Sequence, residues 1–294
     1  MTASTAVART APTVPQIRAR KVRSGSEPLV MVTAYDAPGS RIASAAGVDM
    51  ILVGDSLAMV VLGYEDTLQV GIDEMAHHVA AVARVKPAAM IVGDLPWMSY
   101  HVDRADTVRN AATLIRAGAH CVKLEGGAKR VPMVEAIVEA EIPVMGHIGL
   151  TPQSVHAQGG FRVQGRESEA ALQLVADAKA LQHAGCFAIV IEGVPDAVAN
   201  MITEALDIPT IGIGAGSGTD GQVLVMHDLL GLEDRIAPKF VRRYADLGDA
   251  ATDAVRAYAA DVRTGRFPSA AESYHLNDAQ AEALALYGAK PVPA

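Results

Sequence analysis

Short, continuously apolar runs recur along the chain and stop at polar residues. They are LVMVTAY from Leu29, MILVGDS from Met50, AMIVGDLP from Ala89, CVKLEGG from Cys121, PVMGHIGL from Pro143, FAIVIEG from Phe187, TIGIGAG from Thr210 and QVLVMHDLLG from Gln222. Runs of this length, rich in β-branched residues and without polar alternation, predict strands buried on both faces, as in a parallel sheet. Between most of them the apolar positions switch to helical spacing: SRIASAAG after the first run, DEMAHHVAAVARV before the third, DRADTVRNAATLIRAG before the fourth and AKRVPMVEAIVEA after it. Ser168 to Ala184 and Asp196 to Leu206 continue the pattern, and Gly118 and Gly185 stand where helix C-caps would place them. This alternation requires right-handed crossovers, and eight units predict an α/β fold closed into a (β/α)8 TIM barrel.

Two stretches depart from an even repeat. The seventh and eighth runs are separated only by a glycine-rich segment with no room for a usual helix, and the tail from Val241 to Tyr287 carries two extra helical patterns, AATDAVRAYAADV and NDAQAEALALYG. These late C-terminal helices would cover the barrel or pack against a neighbouring subunit. The organisation expected is a single catalytic barrel domain over 18–294, preceded by a disordered tail over 1–17. That tail is rich in Ala, Thr and Pro and poor in acids, which faintly resembles a transit peptide but lacks its amphipathic repeat.

Composition narrows the partners. Twenty-five basic against 33 acidic side chains give a net charge of −8, which disfavours nucleic acid and anionic membrane as partners. The most apolar stretch, Met50 to Gly63, is interrupted by Asp55, and no run reaches the ~18 uncharged residues of a membrane span. Cys121 and Cys186 sit singly inside apolar runs, without metal or disulfide spacing, and read as buried free thiols in a reducing cytoplasm.

The polar residues are informative through their position. Each predicted strand is apolar until its end, where Tyr35 and Asp36, Asp55 and Ser56, Asp94, Lys123 and Glu125, His147 and Glu192 follow. In a parallel barrel these residues gather at the C-terminal rim, where barrel active sites lie. A carboxylate at a buried strand end is costly unless a metal, a cation or water meets it. Asp55, Asp94 and Glu125 come from consecutive strands and offer only hard oxygen donors, which suits Mg²⁺. Lys123, two residues before Glu125 on the same strand, shares its facing. The competing reading pairs each acid with a base or makes it a helix cap; Asp36 and Asp73 are read as caps.

Other features read as structural or stay open. GIGAGSGTDGQ from Gly212 could be a dinucleotide loop, but an apolar strand follows it rather than a phosphate-binding helix, so a tight connection is the expected role. His77 and His78 are neighbours on a helix, face different ways and make a poor metal pair. His147 is either a core histidine or part of the rim chemistry, and Trp97 and Met98 either line a pocket or pack the rim.

The ordered blocks VMVTAYDAPGSRIASAAGVDMILVGDSLAMVVLGYEDT, VGDLPWMSY, VKLEGG, GHIGLTPQSVHAQGGFRVQGR, FAIVIEGVP and IGIGAGSGTDGQVLVMHDLLG resemble the 3-methyl-2-oxobutanoate (ketopantoate) hydroxymethyltransferase family, over about Ile17 to Phe267. The resemblance implies a Mg²⁺-dependent barrel of the phosphoenolpyruvate/pyruvate type, with one ion per subunit. It also implies transfer of the one-carbon unit of 5,10-methylenetetrahydrofolate to 3-methyl-2-oxobutanoate, giving 2-dehydropantoate in the first step of pantothenate and coenzyme A synthesis. By the matching motifs, Asp55, Asp94 and Glu125 bind the metal, Asp55, Ser56, Asp94 and Lys123 bind the oxo acid, and Glu192 is the general base. Glu192 has no basic neighbour in sequence, so burial is expected to make it a better base. The family also implies a homo-oligomer, a decamer. Two competing readings are a lyase or mutase, whose sister families use a loop cysteine in a KKCGH-like motif absent here, and a nucleotide-binding module built on GIGAGSG.

Overall fold

The structure, a computed structural model, describes residues 10–160, 162–233 and 238–285. All eight apolar runs form strands: β1 Leu29–Thr33, β2 Met50–Val53, β3 Met90–Asp94, β4 Cys121–Glu125, β5 Val144–Gly149, β6 Ala188–Glu192, β7 Thr210–Ile213 and β8 Gly221–Leu224. They close into a parallel barrel in sequence order, with β8 pairing back onto β1 from Leu29↔Gly221 to Val32↔Leu224. The (β/α)8 barrel expected from the runs is therefore the fold.

Strand alternation decides which side chains reach the barrel interior. Met31, Met50, Leu52, Met90, Val92, Cys121, Met145, Val190, Ile211 and Val223 form one buried cluster. Continuing the same every-second-residue parity upward gives Asp94 above Val92, Lys123 and Glu125 above Cys121, His147 above Met145, and Glu192 above Val190. The rim chemistry is thus the top layer of the interior, and the apolar layers are its floor.

The connections follow their local sequence. Helices Ala37–Ala46, Ile72–Ala83, Arg104–Ala117, Val131–Glu139, Ser168–His183 and Asp196–Ala205 lie between the strands. Asp36 caps the first, its carboxylate accepting from Gly39 N at 2.7 Å. Asp73 does not cap the next helix: Gly71 is the N-cap, and Glu74 accepts from Gly71 N at 3.0 Å. Asp73 lies at the second helical position, one short of the third from which a side chain reaches back to the cap, and instead places its charge in the first turn, where the helix dipole favours an acid. Gly118 is the left-handed C-cap of Arg104–Ala117, whereas Ala184 is the C-cap after His183 and Gly185 follows it with φ 105°.

No helix separates β7 from β8. The connection 214–220 runs against the helix Asp196–Ala205, and a Cβ on Gly218 would lie 1.5 Å from Asn200 Oδ1. The glycine run is therefore a close-approach connection, as its sequence context predicted.

Residues 1–9 of the expected tail lie outside the described residues. Val14–Arg18 form a short helix whose Thr13 backbone N–H donates to Gln16 Oε1 at 2.7 Å. Ile17 is buried in the barrel cluster, so order begins before residue 18 because one branched side chain has an apolar site to fill. The described residues pack as two compact units. The first, the described residues within 1–229 and 233–243, contains the barrel; the second, those within 230–232 and 244–294, contains the helices Leu247–Arg263 and Asp278–Ala285 from the late part of the expected domain 18–294. Part of the last predicted helical pattern, to Tyr287, lies outside the described residues. Among the described residues no helix is long and apolar enough to cross a membrane.

Candidate active site

Strand register assembles the rim in pairs. Asp94 on β3 is the direct partner of Lys123 on β4, and Glu125 on β4 is the direct partner of His147 on β5. Lys123 Nζ accordingly lies 2.8 Å from Asp94 Oδ1 and 3.9 Å from Glu125 Oε1, and His147 Nδ1 lies 3.2 Å from Glu125 Oε1. Across the same ring edge, His147 Nε2 is 3.3 Å from Glu192 Oε2. Asp55 follows β2, and its backbone N–H donates to Asp94 Oδ2 at 3.2 Å. Ser56 Oγ and Tyr35 Oη share a hydrogen bond of 2.8 Å.

These groups border a cavity of about 440 Å³ lined by Asp55, Ser56, Asp94, Lys123, Glu125 and Glu192, with an apolar share from residues such as Leu52 and Val190. Every site residue predicted from the sequence meets there, and His147 joins them. Trp97 and Met98 are exposed and do not line the cavity, nor does either cysteine. Cys121 and Cys186 are free and buried, and burial pushes both thiols up, Cys186 to about 12. His78 is a packing residue whose Nδ1 donates to the Tyr35 carbonyl at 2.7 Å, with the His77 ring edge-on to it.

The charge balance is uneven. Burial, then the Asp94 and Glu125 charges, push Asp55 well above the usual carboxylate range. Asp94 is also raised by burial, although Lys123 pulls it back. Glu125 goes the other way: against the push of burial, His147, Lys123 and the Gln153 backbone N–H hold it low. Burial alone would neutralise Lys123, but the surrounding carboxylates, Asp94 first, keep its ammonium charged. For His147, burial and Lys123 favour the neutral ring, yet Glu125 and Glu192 raise it to about 9.

Glu192 therefore does not stand alone, as its sequence neighbours suggested. A charged imidazole faces it, and its side chain keeps 16% exposure toward the cavity. The sequence missed this contact because the two residues are 45 positions apart; adjacent strands bring them together.

The donor set suits a hard divalent cation. Asp55 and Asp94 are buried, repel one another and are shifted in the direction that a cation between them would reverse. Asp94 Oδ1 makes no directed hydrogen bond although Lys123 Nζ is near, so it has acceptor capacity to spare. Among the described residues no three His, Cys, Asp or Glu side chains form a ready metal cage. Mg²⁺ does not require one, because it usually takes one or two carboxylates and completes its shell with water and substrate oxygens.

A parallel barrel with a charged, partly enclosed cavity at the C-terminal ends of its strands defines a (β/α)8-barrel enzyme. The sequence profile of the ketopantoate hydroxymethyltransferase family matches residues 12–270. The 3-methyl-2-oxobutanoate hydroxymethyltransferase of Moorella thermoacetica is 57% identical over 263 residues, covering 89% of this chain and 97% of that protein. The enzyme of the same name from Nitratidesulfovibrio vulgaris is 55% identical over 261 residues, covering 88% of this chain and 85% of that one. The chain belongs to the ketopantoate hydroxymethyltransferase family. In fold alone it is also similar to 2,3-dimethylmalate lyase, a PEP mutase/isocitrate lyase superfamily member, with TM-score 0.58, 16% identity and coverage of 95% of this chain and 100% of that one. A phosphonopyruvate hydrolase solved with oxalate and Mg²⁺ gives TM-score 0.57 at 15% identity, covering 94% of this chain and 95% of that one.

Proposed function

We propose that this enzyme transfers the one-carbon unit of 5,10-methylenetetrahydrofolate to 3-methyl-2-oxobutanoate, giving 2-dehydropantoate, as the first step of pantothenate synthesis. Family membership supports the reaction, and one observation supports its chemistry: a carboxylate on β6, Glu192, and a buried ammonium on β4, Lys123, border the same cavity. One can take a proton from carbon while the other meets the negative charge that results.

The oxo acid would bind with its carboxylate and keto oxygens toward Asp55, Ser56, Asp94 and Lys123. Ser56 is pre-oriented for this by its hydrogen bond with Tyr35, whose phenol burial keeps protonated. Asp55, Asp94 and Glu125 would hold one Mg²⁺ per subunit, which when bound supplies Lewis acidity at the ketone and makes the neighbouring C–H more acidic. Glu192 removes the C3 proton, held in place by His147. Lys123 stabilises the charge developing on the keto oxygen, and C3 then forms its new bond to the folate methylene carbon. Overall the oxo acid exchanges its C3 hydrogen for CH₂OH: both C–N bonds of the folate methylene break, water supplies the hydroxyl oxygen, and tetrahydrofolate departs with the C3 proton and one proton of the water on its two nitrogens.

The protein should form 2-dehydropantoate only when oxo acid, methylenetetrahydrofolate and Mg²⁺ are all present. Turnover that ignores the folate or survives chelation would refute this reading. The free, buried thiols support a cytoplasmic setting. We also propose a homo-oligomer, the decamer implied by the family, measurable by light scattering. Val255, Tyr258 and Val262, three and four residues apart on the helix Leu247–Arg263, leave an apolar stripe exposed on the single chain.

A further inference from the structure

Behind the cavity wall, the loop after β5 carries Gln153, a residue that no charge or motif singles out. Its side chain is buried, it does not line the cavity, and both hydrogens and the oxygen of its amide are engaged. Gln153 Nε2 donates to Asp55 Oδ2 at 2.9 Å and to the Leu95 carbonyl at 2.9 Å. Gln153 Oε1 accepts from Tyr100 Oη at 2.6 Å, and the Gln153 backbone N–H donates to Glu125 Oε2 at 3.1 Å. Tyr100 Oη closes the network by accepting from Glu125 N at 3.2 Å. The Leu95 carbonyl can only accept, so the amide orientation is fixed by the network.

The endpoints distinguish this from ordinary loop packing. A glutamine that only anchors a loop ends on backbone groups alone; besides the Leu95 carbonyl, this one ends, through side chain and backbone, on two cavity carboxylates, Asp55 after β2 and Glu125 on β4. It is neutral, so it fixes their rotamers without cancelling the charge that would attract a cation. Its side chain uses only one oxygen of Asp55. Resting on the metal-site reading above, we propose that Gln153, braced by Tyr100, is a positioning residue that holds Asp55 and Glu125 in the geometry that receives a divalent cation.

The test uses the full-length protein and Mn²⁺ alone as the probe, read by electron paramagnetic resonance, with melting temperature and steady-state kinetics alongside. Gln153→Leu should weaken Mn²⁺ binding about 10- to 100-fold, the usual effect of removing a hydrogen bond to a metal-binding side chain. It should also raise the KM for the oxo acid. Tyr100→Phe, which leaves the amide and removes one brace, should weaken Mn²⁺ binding about two- to fivefold, a small fraction of that range. Variants that melt earlier but bind Mn²⁺ as wild type does would overturn the proposal by making the network purely structural. If Gln153→Leu does not fold, Tyr100→Phe decides: unchanged Mn²⁺ affinity and KM overturn it. Failure of the underlying site reading looks different, because the wild-type protein itself would then bind no Mn²⁺.

Discussion

The barrel buries charge at both ends, and the two ends are built on opposite rules. At the N-terminal end, Lys21 Nζ donates to Asp220 Oδ2 at 2.7 Å, to the Thr203 carbonyl at 2.9 Å and to the Ile208 carbonyl at 3.2 Å, which uses all three of its hydrogens. Asp220 accepts in addition from Val22 N at 2.8 Å and Thr210 N at 3.0 Å. One cation meets one anion and every valence is filled. At the C-terminal end, Asp55, Asp94, Glu125 and Glu192 face Lys123 and a His147 that is charged only because the acids require it. The saturated end needs nothing more, whereas the rim has negative charge in excess and is built to receive a ligand. Burial of charge alone does not mark a site; imbalance does.

The comparison predicts opposite outcomes for mutation at the two ends. The largest effect should come from Glu192→Gln, which removes the base: transfer should fall by about 10²- to 10⁴-fold, the usual worth of a general base, with little change in melting temperature. Lys21→Met at the other end should destabilise by about 3–5 kcal/mol, because it strands a buried Asp220, yet leave kcat/KM of the folded protein within about twofold. Loss of turnover with full stability in that variant would collapse the distinction. Asp55→Asn should reverse the sign: transfer is lost, while the metal-free protein becomes more stable by about 1–2 kcal/mol through relief of repulsion, as happens when strained active sites are relaxed. Calorimetric melting of the three variants measures the stabilities, and steady-state assays of the same proteins measure the transfer.

The smallest effect is a pH dependence that sharpens the last comparison. Asp55 is raised in the folded protein, so the native state holds its proton more tightly than the unfolded chain does. Its repulsive cost is fully present above the folded value, declines as pH falls through it, and is gone below the unfolded value of about 3.9. The stability gap between Asp55→Asn and wild type should therefore narrow as pH is lowered from 7 toward 4. A gap that widens on acidification would contradict the assigned repulsion.

The fold was legible because strands buried on both faces cannot hide: each of the eight is an unbroken apolar run, and even the missing helix between β7 and β8 was visible as a short glycine stretch. The rim was legible for the same reason, since polar residues at the ends of such runs have few other places to go. What the sequence concealed are contacts made across the chain. His147 and Glu192 meet only because β5 and β6 are neighbours. Lys21 and Asp220 are 199 positions apart. Gln153 carries no charge and follows a proline in a polar loop, so nothing local marks it as the brace behind Asp55. The capping of Ile72–Ala83 turned on a single position, with Glu74 rather than Asp73 placed to reach back to Gly71.

The central claim is that the rim removes a proton from carbon next to a ketone. The direct measurement is hydrogen–deuterium exchange at C3 of 3-methyl-2-oxobutanoate in D₂O, without folate, comparing Mg²⁺ with a chelator. The account predicts exchange that requires Mg²⁺ and disappears in Glu192→Gln. No exchange by folded wild-type protein with Mg²⁺, or wild-type rates in Glu192→Gln, would contradict it.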